Sequence, residues 1–399
     1  MAQLAGFRSC MPLTESELDR WIARIHATDT GLVLAATGGG SSAFSELLSV
    51  PGASRSVLEA IVPYSASSLV DWLGWKPEQF CSERTARVMA MAAYQRALQL
   101  NRELEAPPSQ LVGVACTASL VSDRPKGGAH RIHVAWQSDR QTESLSIELN
   151  KGQRNRRQEE QIASWLMLVA VSRACEIELP TTLESFLGLA SPEILAVQQA
   201  VASEPFRELV AGPQSLVAGS PTAKLPSAGT PRLIFPGAFN PIHDGHREMA
   251  ALAQARKQLP VEYEISILNV DKPPLDFLEI EQRRRQFDPG EIVWFTRAAT
   301  FVEKARLFAP ATFLVGVDTI IRIGDPRYYA DDPRWCQLAI DTLAAIGSRF
   351  LVFGRDTADG FRELADVELP PDLAILCEGV SACDFRADIS STQLRRARE

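Results

Sequence analysis

The chain has 399 residues, 46% of them hydrophobic and 23% charged, with a formal net charge of −8. That length exceeds one ordinary core and the composition is that of a globular protein, so two domains are expected. The acidic balance argues against nonspecific nucleic-acid binding, because no basic stripe neutralises a run of phosphates; small anionic ligands held by local donors stay open.

The seven cysteines, Cys10, Cys81, Cys116, Cys175, Cys336, Cys377 and Cys383, have no paired spacing. Such a dispersed, odd set is expected to be reduced and the chain cytoplasmic. No basic-then-apolar leader opens the sequence, and the apolar run Ala163 to Val171 is too short for a bilayer, so no membrane association is expected. From Leu18 to roughly Ile177 the pattern reads helix, strand, Gly-rich turn, helix, strand, long helix, strand, hairpin and long helix. The turn, Thr37-Gly38-Gly39-Gly40-Ser41-Ser42, either serves only as a tight connection or cradles a phosphate at a helix start. His130 and His133 are an odd separation apart on a strand, hence on opposite faces, with no obvious carboxylate beside them. Arg154, Arg156, Arg157, Glu159 and Glu160 read as the solvated start of the long helix through Trp165 and Leu168.

Between Gly212 and Pro231, Pro213, Gly219, Pro221, Pro226, Gly229 and Pro231 break every periodicity. A first domain over residues 1–211, a linker over 212–230 and a second domain over 231–399 are therefore expected. Beyond the linker, apolar strands alternate with helical stretches, which predicts a mostly parallel, right-handed α/β sheet with its ligand at the strand C-termini.

The second domain opens with the strand Leu233-Ile234-Phe235, the turn Gly237-Ala238-Phe239-Asn240-Pro241-Ile242, the pair His243 and His246 around Gly245, and a helix from Arg247 to Ala255. Two imidazoles three residues apart share a face of the first helical turn, where free backbone N–H groups and the helix dipole favour phosphate. A metal site or a chance pairing is the alternative; Asp244 points away from that face and no nearby Cys completes a ligand set, so no protein-held metal is expected. Gly245 leaves room for a triphosphate against the backbone. Next come a strand from Ile265 toward Lys272, which ends near a substrate phosphate or in solvent, and Thr312 to Thr319, a buried strand ending in Gly316 and Asp318. Read locally, Asp318 is a cap for the next helix. Phe350 to Gly354 repeats the pattern and sets Arg355 at a strand end. Trp294, Tyr328, Tyr329 and Trp335 are candidates to stack on an aromatic ligand. Near the C-terminus Ser390, Ser391 and Thr392 offer hydroxyls and a cap to a short helix through Leu394 and Arg395, whose planar fork suits phosphate oxygens.

The His-x-Gly-His string and the distant Ile389-Ser390-Ser391-Thr392-Gln393-Leu394-Arg395 together resemble the paired signature of the nucleotidylyltransferase superfamily. The resemblance implies a Rossmann-like domain in which His243, His246 and Arg395 are catalytic and Gly237, Phe239, Asn240, Gly245, Lys272, Arg355, Ser390, Ser391 and Thr392 contact the nucleotide. Gly316 and Asp318 resemble the ribose-side Gly-x-Asp of the nicotinate and nicotinamide mononucleotide adenylyltransferases. The implied reaction is transfer of AMP from ATP, entering with Mg²⁺, to a pyridine mononucleotide. A cytidylyltransferase, a phosphopantetheine adenylyltransferase and a non-catalytic nucleotide sensor share these features. Small-molecule nucleotides are the expected partners, with a homo-oligomer open.

In the first domain, Thr37 to Ser42, Val50-Pro51-Gly52-Ala53-Ser54, Ala60 to Ser65 and Gly113 to Ala118 ahead of Arg124-Pro125-Lys126-Gly127 resemble the C-terminal domain of the CinA family, whose active members are nicotinamide-nucleotide amidases. That resemblance implies an α/β layer domain and a ligand site at Thr37, Gly38, Gly39, Ser41 and Tyr64. Two positions depart from it. Leu34-Ala35-Ala36 stands in place of a Glu-Ser-Cys nucleophile string, and Leu69 in place of the activating Lys; Tyr64 keeps its place and Thr37, Ser41 or Ser42 still offers a hydroxyl, but without that base amidase activity is the less favoured reading.

Overall fold

The computed structural model describes residues 13–124, 127–180, 187–189, 191–224, 229–268, 273–357 and 360–386. The chain divides into two compact units, Met1–Arg207 with Asp271–Glu279, and Glu208–Val270 with Ile280–Glu399. Each carries its own sheet, so the fold is mixed α/β with two sheets containing parallel strands.

In the first unit β1 (Thr30–Thr37), β2 (Val57–Ile61), β3 (Gln110–Ser119), β4 (His130–Gln137), β5 (Gln141–Leu149) and β6 (Leu195–Val201) form a sheet of order β2-β1-β3-β4-β5-β6. β1 pairs parallel with β2 and β3, and the remaining neighbours are antiparallel. β1 is buried along its whole length, as a Leu/Val/Ala run covered on both faces must be. The helix Arg156–Ala174 is buried on nearly every side from Ile162 to Ser172 and packs in the main core with β1, β3, β4 and β5. Its apolar run is thus core, and no helix among the described residues is long and apolar enough to cross a membrane. Residues 273–279 belong with this unit: buried Asp276 accepts from Arg87 at 2.5 Å, Arg87 also bonds Glu83, and Thr142 accepts from the Phe277 backbone.

In the second unit β7 (Leu216–Ala218), β8 (Arg232–Pro236), β9 (Val261–Ser266), β10 (Ile292–Thr296), β11 (Ala311–Gly316), β12 (Arg349–Phe353) and β15 (Cys377–Val380) form a sheet of order β15-β12-β11-β8-β9-β10-β7, with β13 (Arg355–Thr357) and β14 (Gly360–Arg362) a separate hairpin. All pairings in the large sheet are parallel except the short edge strand β7, which lies antiparallel to β10 within the stretch expected to be a linker. The chain starts this sheet at central β8, builds outward to β9 and β10, then returns to the other side of β8 for β11, β12 and β15. Connections diverge between β8 and β11, which opens a crevice at their C-terminal ends, the ligand position of doubly wound sheets.

One strand lies elsewhere than the sequence suggested. β9 spans Val261–Ser266 rather than Ile265 to Lys272. Its two carboxylates obscured it, because Glu262 and Glu264 are both buried and both satisfied. Glu262 pairs with Arg232 and accepts from Trp294 Nε1 at 2.7 Å, and Glu264 binds Lys304 Nζ at 2.7 and 2.8 Å. Tertiary pairing removes the penalty that acids carry inside a sheet.

Candidate functional site

The crevice between β8 and β11 is built from the two loops that follow those strands. The register pairs Ala311 with Arg232 and Phe313 with Ile234, and continuing it sets Gly316 level with Gly237. Gly237 donates its N–H to the Glu264 carbonyl at 2.9 Å and lies under the ring of Phe239. A Cβ on Gly237 would stand 2.6 Å from that ring, so only glycine lets the turn close. Phe239 has a φ of 42°, a strained value for a bulky residue, and burial of its ring against Phe235, Tyr263, Phe287 and His246 holds it there.

Gln286 locks the same loop in a way no sequence pattern announced. Its amide donates to the Phe239 carbonyl at 3.0 Å and its Oε1 accepts from the Ile242 N–H at 2.9 Å. Arg247, next to the second histidine, bonds the Gln286 carbonyl at 3.0 Å and pairs with Glu291. Helix Asp244–Lys257 therefore starts from a braced turn, with His243 as its N-cap and Gly245 buried in its first turn.

The two imidazoles stack with ring centres 3.7 Å apart and planes 28° from parallel. The His243 backbone N–H donates to His246 Nδ1 at 3.2 Å. A backbone N–H can only donate, so Nδ1 is the acceptor and the neutral ring carries its proton on Nε2. Burial, with smaller repulsion from His243 and Arg247, pulls the His246 pKa down to about 3, and burial lowers His243 as well against the pull of Asp244. At neutral pH the site thus offers a neutral, oriented Nε2–H. His243 Nδ1 is shielded from water and meets no partner among the described residues.

Across the crevice, Gly316 caps helix Val317–Ile323, and a Cβ there would meet no atom within 4 Å. The fold does not require glycine at that position, and the space beside it is open. Asp318 lies in the helix's first turn and accepts from Arg355 Nη1 at 2.7 Å, so two residues assigned separately from sequence hold each other across the ends of β11 and β12. Asn240 is half-buried in the braced loop. Lys272, Ser390, Ser391, Thr392 and Arg395 lie outside the described residues.

The aromatic candidates require correction. Trp294 is fully buried in the second core and its Nε1 is committed to Glu262, so it cannot stack on a ligand. Tyr329 is half-buried and donates to the Ile323 carbonyl at 3.0 Å, while Tyr328 and Trp335 are exposed.

In the first unit a cavity of about 210 Å³ is lined by Gly38, Gly39, Ser41 and Tyr64, with Arg156, Arg157 and Glu160. Thr37 is buried beside it. Glu160 enters the Gly-rich turn: its Oε1 accepts from the Gly40 N–H at 3.0 Å, the Ser42 N–H at 3.4 Å and the Ser41 and Ser42 hydroxyls at 3.4 and 3.5 Å. Arg156 Nη2 donates to the Gly38 carbonyl at 2.8 Å. The turn does bind an anion, and that anion is the protein's own carboxylate.

The helix start is therefore not the solvated segment expected. Glu159 is fully buried, with Oε1 2.7 Å from His130 Nδ1 and Oε2 accepting from the Val121 N–H at 2.7 Å, and Arg154 grips Glu193. The carboxylate beside His130 comes from another element, which is why spacing did not reveal it. His133 lies on the other face of β4, where its Nδ1 meets the Ser146 hydroxyl at 2.8 Å. Leu69 is core, in one cluster with Ala35. Among the described residues no group of three or more His, Cys, Asp or Glu is placed to hold a metal, and the six described cysteines are free thiols.

The strand order, with connections diverging between β8 and β11, is that of a Rossmann-type α/β domain. Residues 234–397 match the family model described as cytidylyltransferase-like, a nucleotidyltransferase class. For the N-terminal part, solved structures of CinA superfamily proteins are similar: one from Escherichia coli is 16% identical, covers 41% of this chain and 94% of that one, and has a TM-score of 0.31. The competence/damage-inducible protein CihA from Agrobacterium tumefaciens is 22% identical over 42% of this chain and 95% of its own, with a TM-score of 0.28. A CinA superfamily protein from Enterobacter cloacae is 20% identical over 41% and 93%, with a TM-score of 0.30. The chain matches no curated protein.

Proposed function

We propose that the second unit transfers AMP from ATP to the phosphate of a nicotinamide or nicotinate mononucleotide and releases pyrophosphate. The observation that carries this reading is His246, whose Nδ1 accepts from the His243 N–H, so that Nε2 keeps the proton at the start of the helix that follows β8. An acceptor phosphate oxygen attacks the α-phosphorus of ATP. A new P–O bond forms as the bond to the bridging oxygen breaks, and its electron pair leaves with pyrophosphate. Charge accumulates on the α-phosphoryl oxygens, where a preorganised neutral donor stabilises it with no proton transfer.

His243, stacked on His246, keeps that ring oriented and presents its own edge to the phosphates. Asp318, steadied by Arg355, accepts from ribose hydroxyls beside the open Gly316. Ser390, Ser391, Thr392 and Arg395 are assigned to the departing pyrophosphate from their sequence pattern alone. Mg²⁺, carried in by the triphosphate and water, neutralises phosphate charge when bound. The pyridine acceptor rests on the Gly-x-Asp strand end and on the amidase-like sequence of the first unit.

Mass spectrometry of products tests the reading. Pure full-length chain is incubated with Mg²⁺, ATP or CTP in parallel, and nicotinamide mononucleotide, nicotinate mononucleotide or phosphopantetheine. A dinucleotide formed with ATP and lost in His246→Ala supports it. A product formed only with CTP or only with phosphopantetheine transfers the assignment to that substrate, and tight ATP binding without pyrophosphate release favours a sensor.

A further inference from the structure

The two sheets have four edges, and three are defended in the usual ways. β2 carries Glu59, clasped by Arg96; β15 has four residues and carries Glu378, bonded by Lys257; β7 has three residues. Short length and charge both discourage a second strand from docking. β6 is different: it has seven residues, Leu195 to Val201, with no charge and no proline, and Ala196 to Gln199 and Val201 are exposed. Val201 is 71% exposed, and Ile194 just before the strand 77%. One side of β6 is paired with β5 along its length, and among the described residues it is the last strand of its sheet. Among those residues its outer edge has no strand partner, and apolar side chains flank it.

We propose that β6 pairs antiparallel with β6 of a second copy of this chain, about a two-fold axis through Gln198. Residues directly opposite in an antiparallel pair share a sheet face and present the same backbone edge. A two-fold relating identical strands must therefore pass through a residue, not between two. Gln198 is the midpoint of Leu195–Val201. About that centre Leu195 faces the partner's Val201, Ala196 faces the partner's Ala200, and Val197 faces the partner's Gln199. Gln198 meets the partner's Gln198, whose amides are mutually complementary. No charge opposes another, and apolar residues meet at both ends. Moving the axis to residue 197 sets Glu193 against the partner's Val201, and moving it to residue 199 sets Ile194 against the partner's Glu204. The axis through Gln198 alone uses the whole strand, and it continues one sheet through both chains.

Analytical ultracentrifugation of the full chain tests the interface. The wild type is expected to sediment at twice the 43.8 kDa of one chain. Gln198→Lys and Gln198→Glu each set like charges directly opposite and are expected to sediment as single chains that stay folded, melting at or somewhat below the wild type as the association is lost. An equimolar mixture of the two variants is expected to regain the double mass, because Lys then faces Glu across the axis. A wild type at single-chain mass, a Gln198→Lys variant at wild-type mass, or a mixture that stays at single-chain mass would each overturn the proposal. None of these readouts depends on nucleotidyl transfer, so the interface and the proposed reaction stand or fall separately.

Discussion

Ala35 and Leu69 lie in one apolar cluster with Ala86, Met89 and Ala90. By the sequence resemblance, these are the positions expected to hold a nucleophilic Ser and its activating Lys in an amidase, and in this chain both side chains pack in the core. The full chain is expected to leave the amide of nicotinamide mononucleotide intact. Ammonia release above background, retained in an Arg156→Ala control that disturbs the cavity, would point to contamination; release lost in that control would revive the activity.

In the second unit, His246→Ala removes the oriented Nε2–H together with a ring that packs on Phe235 and Phe239. Pyrophosphate release with ATP and its acceptor is expected to fall roughly a hundredfold or more, in a variant that still folds but melts somewhat lower than the wild type. Turnover at the wild-type rate in a folded variant would end the assignment of His246.

Gln286→Ala should separate bracing from chemistry. Two hydrogen bonds to the Phe239–Ile242 backbone are lost, each worth about 1 kcal/mol, so the melting temperature falls by a few degrees. The turn then loosens under the His pair, and a rate loss of roughly tenfold is expected, smaller than that of His246→Ala. Unaltered kinetics in the variant would show that the Phe239 cluster holds the loop unaided.

Burial pulls the pKa of His133 down to about 4 and that of His246 to about 3, and it lowers His26 too. Because each folded-state value lies below the ordinary 6.5, the unfolded chain binds more protons under that pH. Their contribution is complete above about pH 6.5 and is lost as pH falls toward 4. Thermal melts from pH 7.5 to 5 are expected to show a declining midpoint, and His133→Gln should lessen the slope. An equal slope in that variant would remove His133 from the account.

Glu160→Ala empties the Gly-rich turn of its internal carboxylate. The freed N–H groups of Gly40 and Ser42, with Arg156 and Arg157 beside them, are then expected to take up inorganic phosphate. A thermal shift with phosphate should appear in the variant and be absent in the wild type. A shift of equal size in both would mean that Glu160 does not compete for the turn.

What was legible in the sequence is what the chain writes contiguously. The segment from Gly237 to His246 joins a strand end to a helix start within ten residues, so the strand–turn–helix order could be read from it directly. The strand ends at Gly316 and Arg355 were readable for the same reason. β9 was misjudged because Glu262 and Glu264 look like solvent-facing residues until Arg232, Trp294 and Lys304 are brought to them.

Local order along the chain thus determined the alternation of elements, the His pair at a helix start and the apolar residues Ala35 and Leu69 in the first unit. Tertiary structure decided whatever depends on residues far apart in sequence: Glu159 against His130, 29 positions away, Glu160 in a turn 120 positions away, and Gln286 under a loop it does not follow. The reason is that a buried polar group takes whichever partner the packing of other elements delivers, and no periodicity within its own segment encodes that partner.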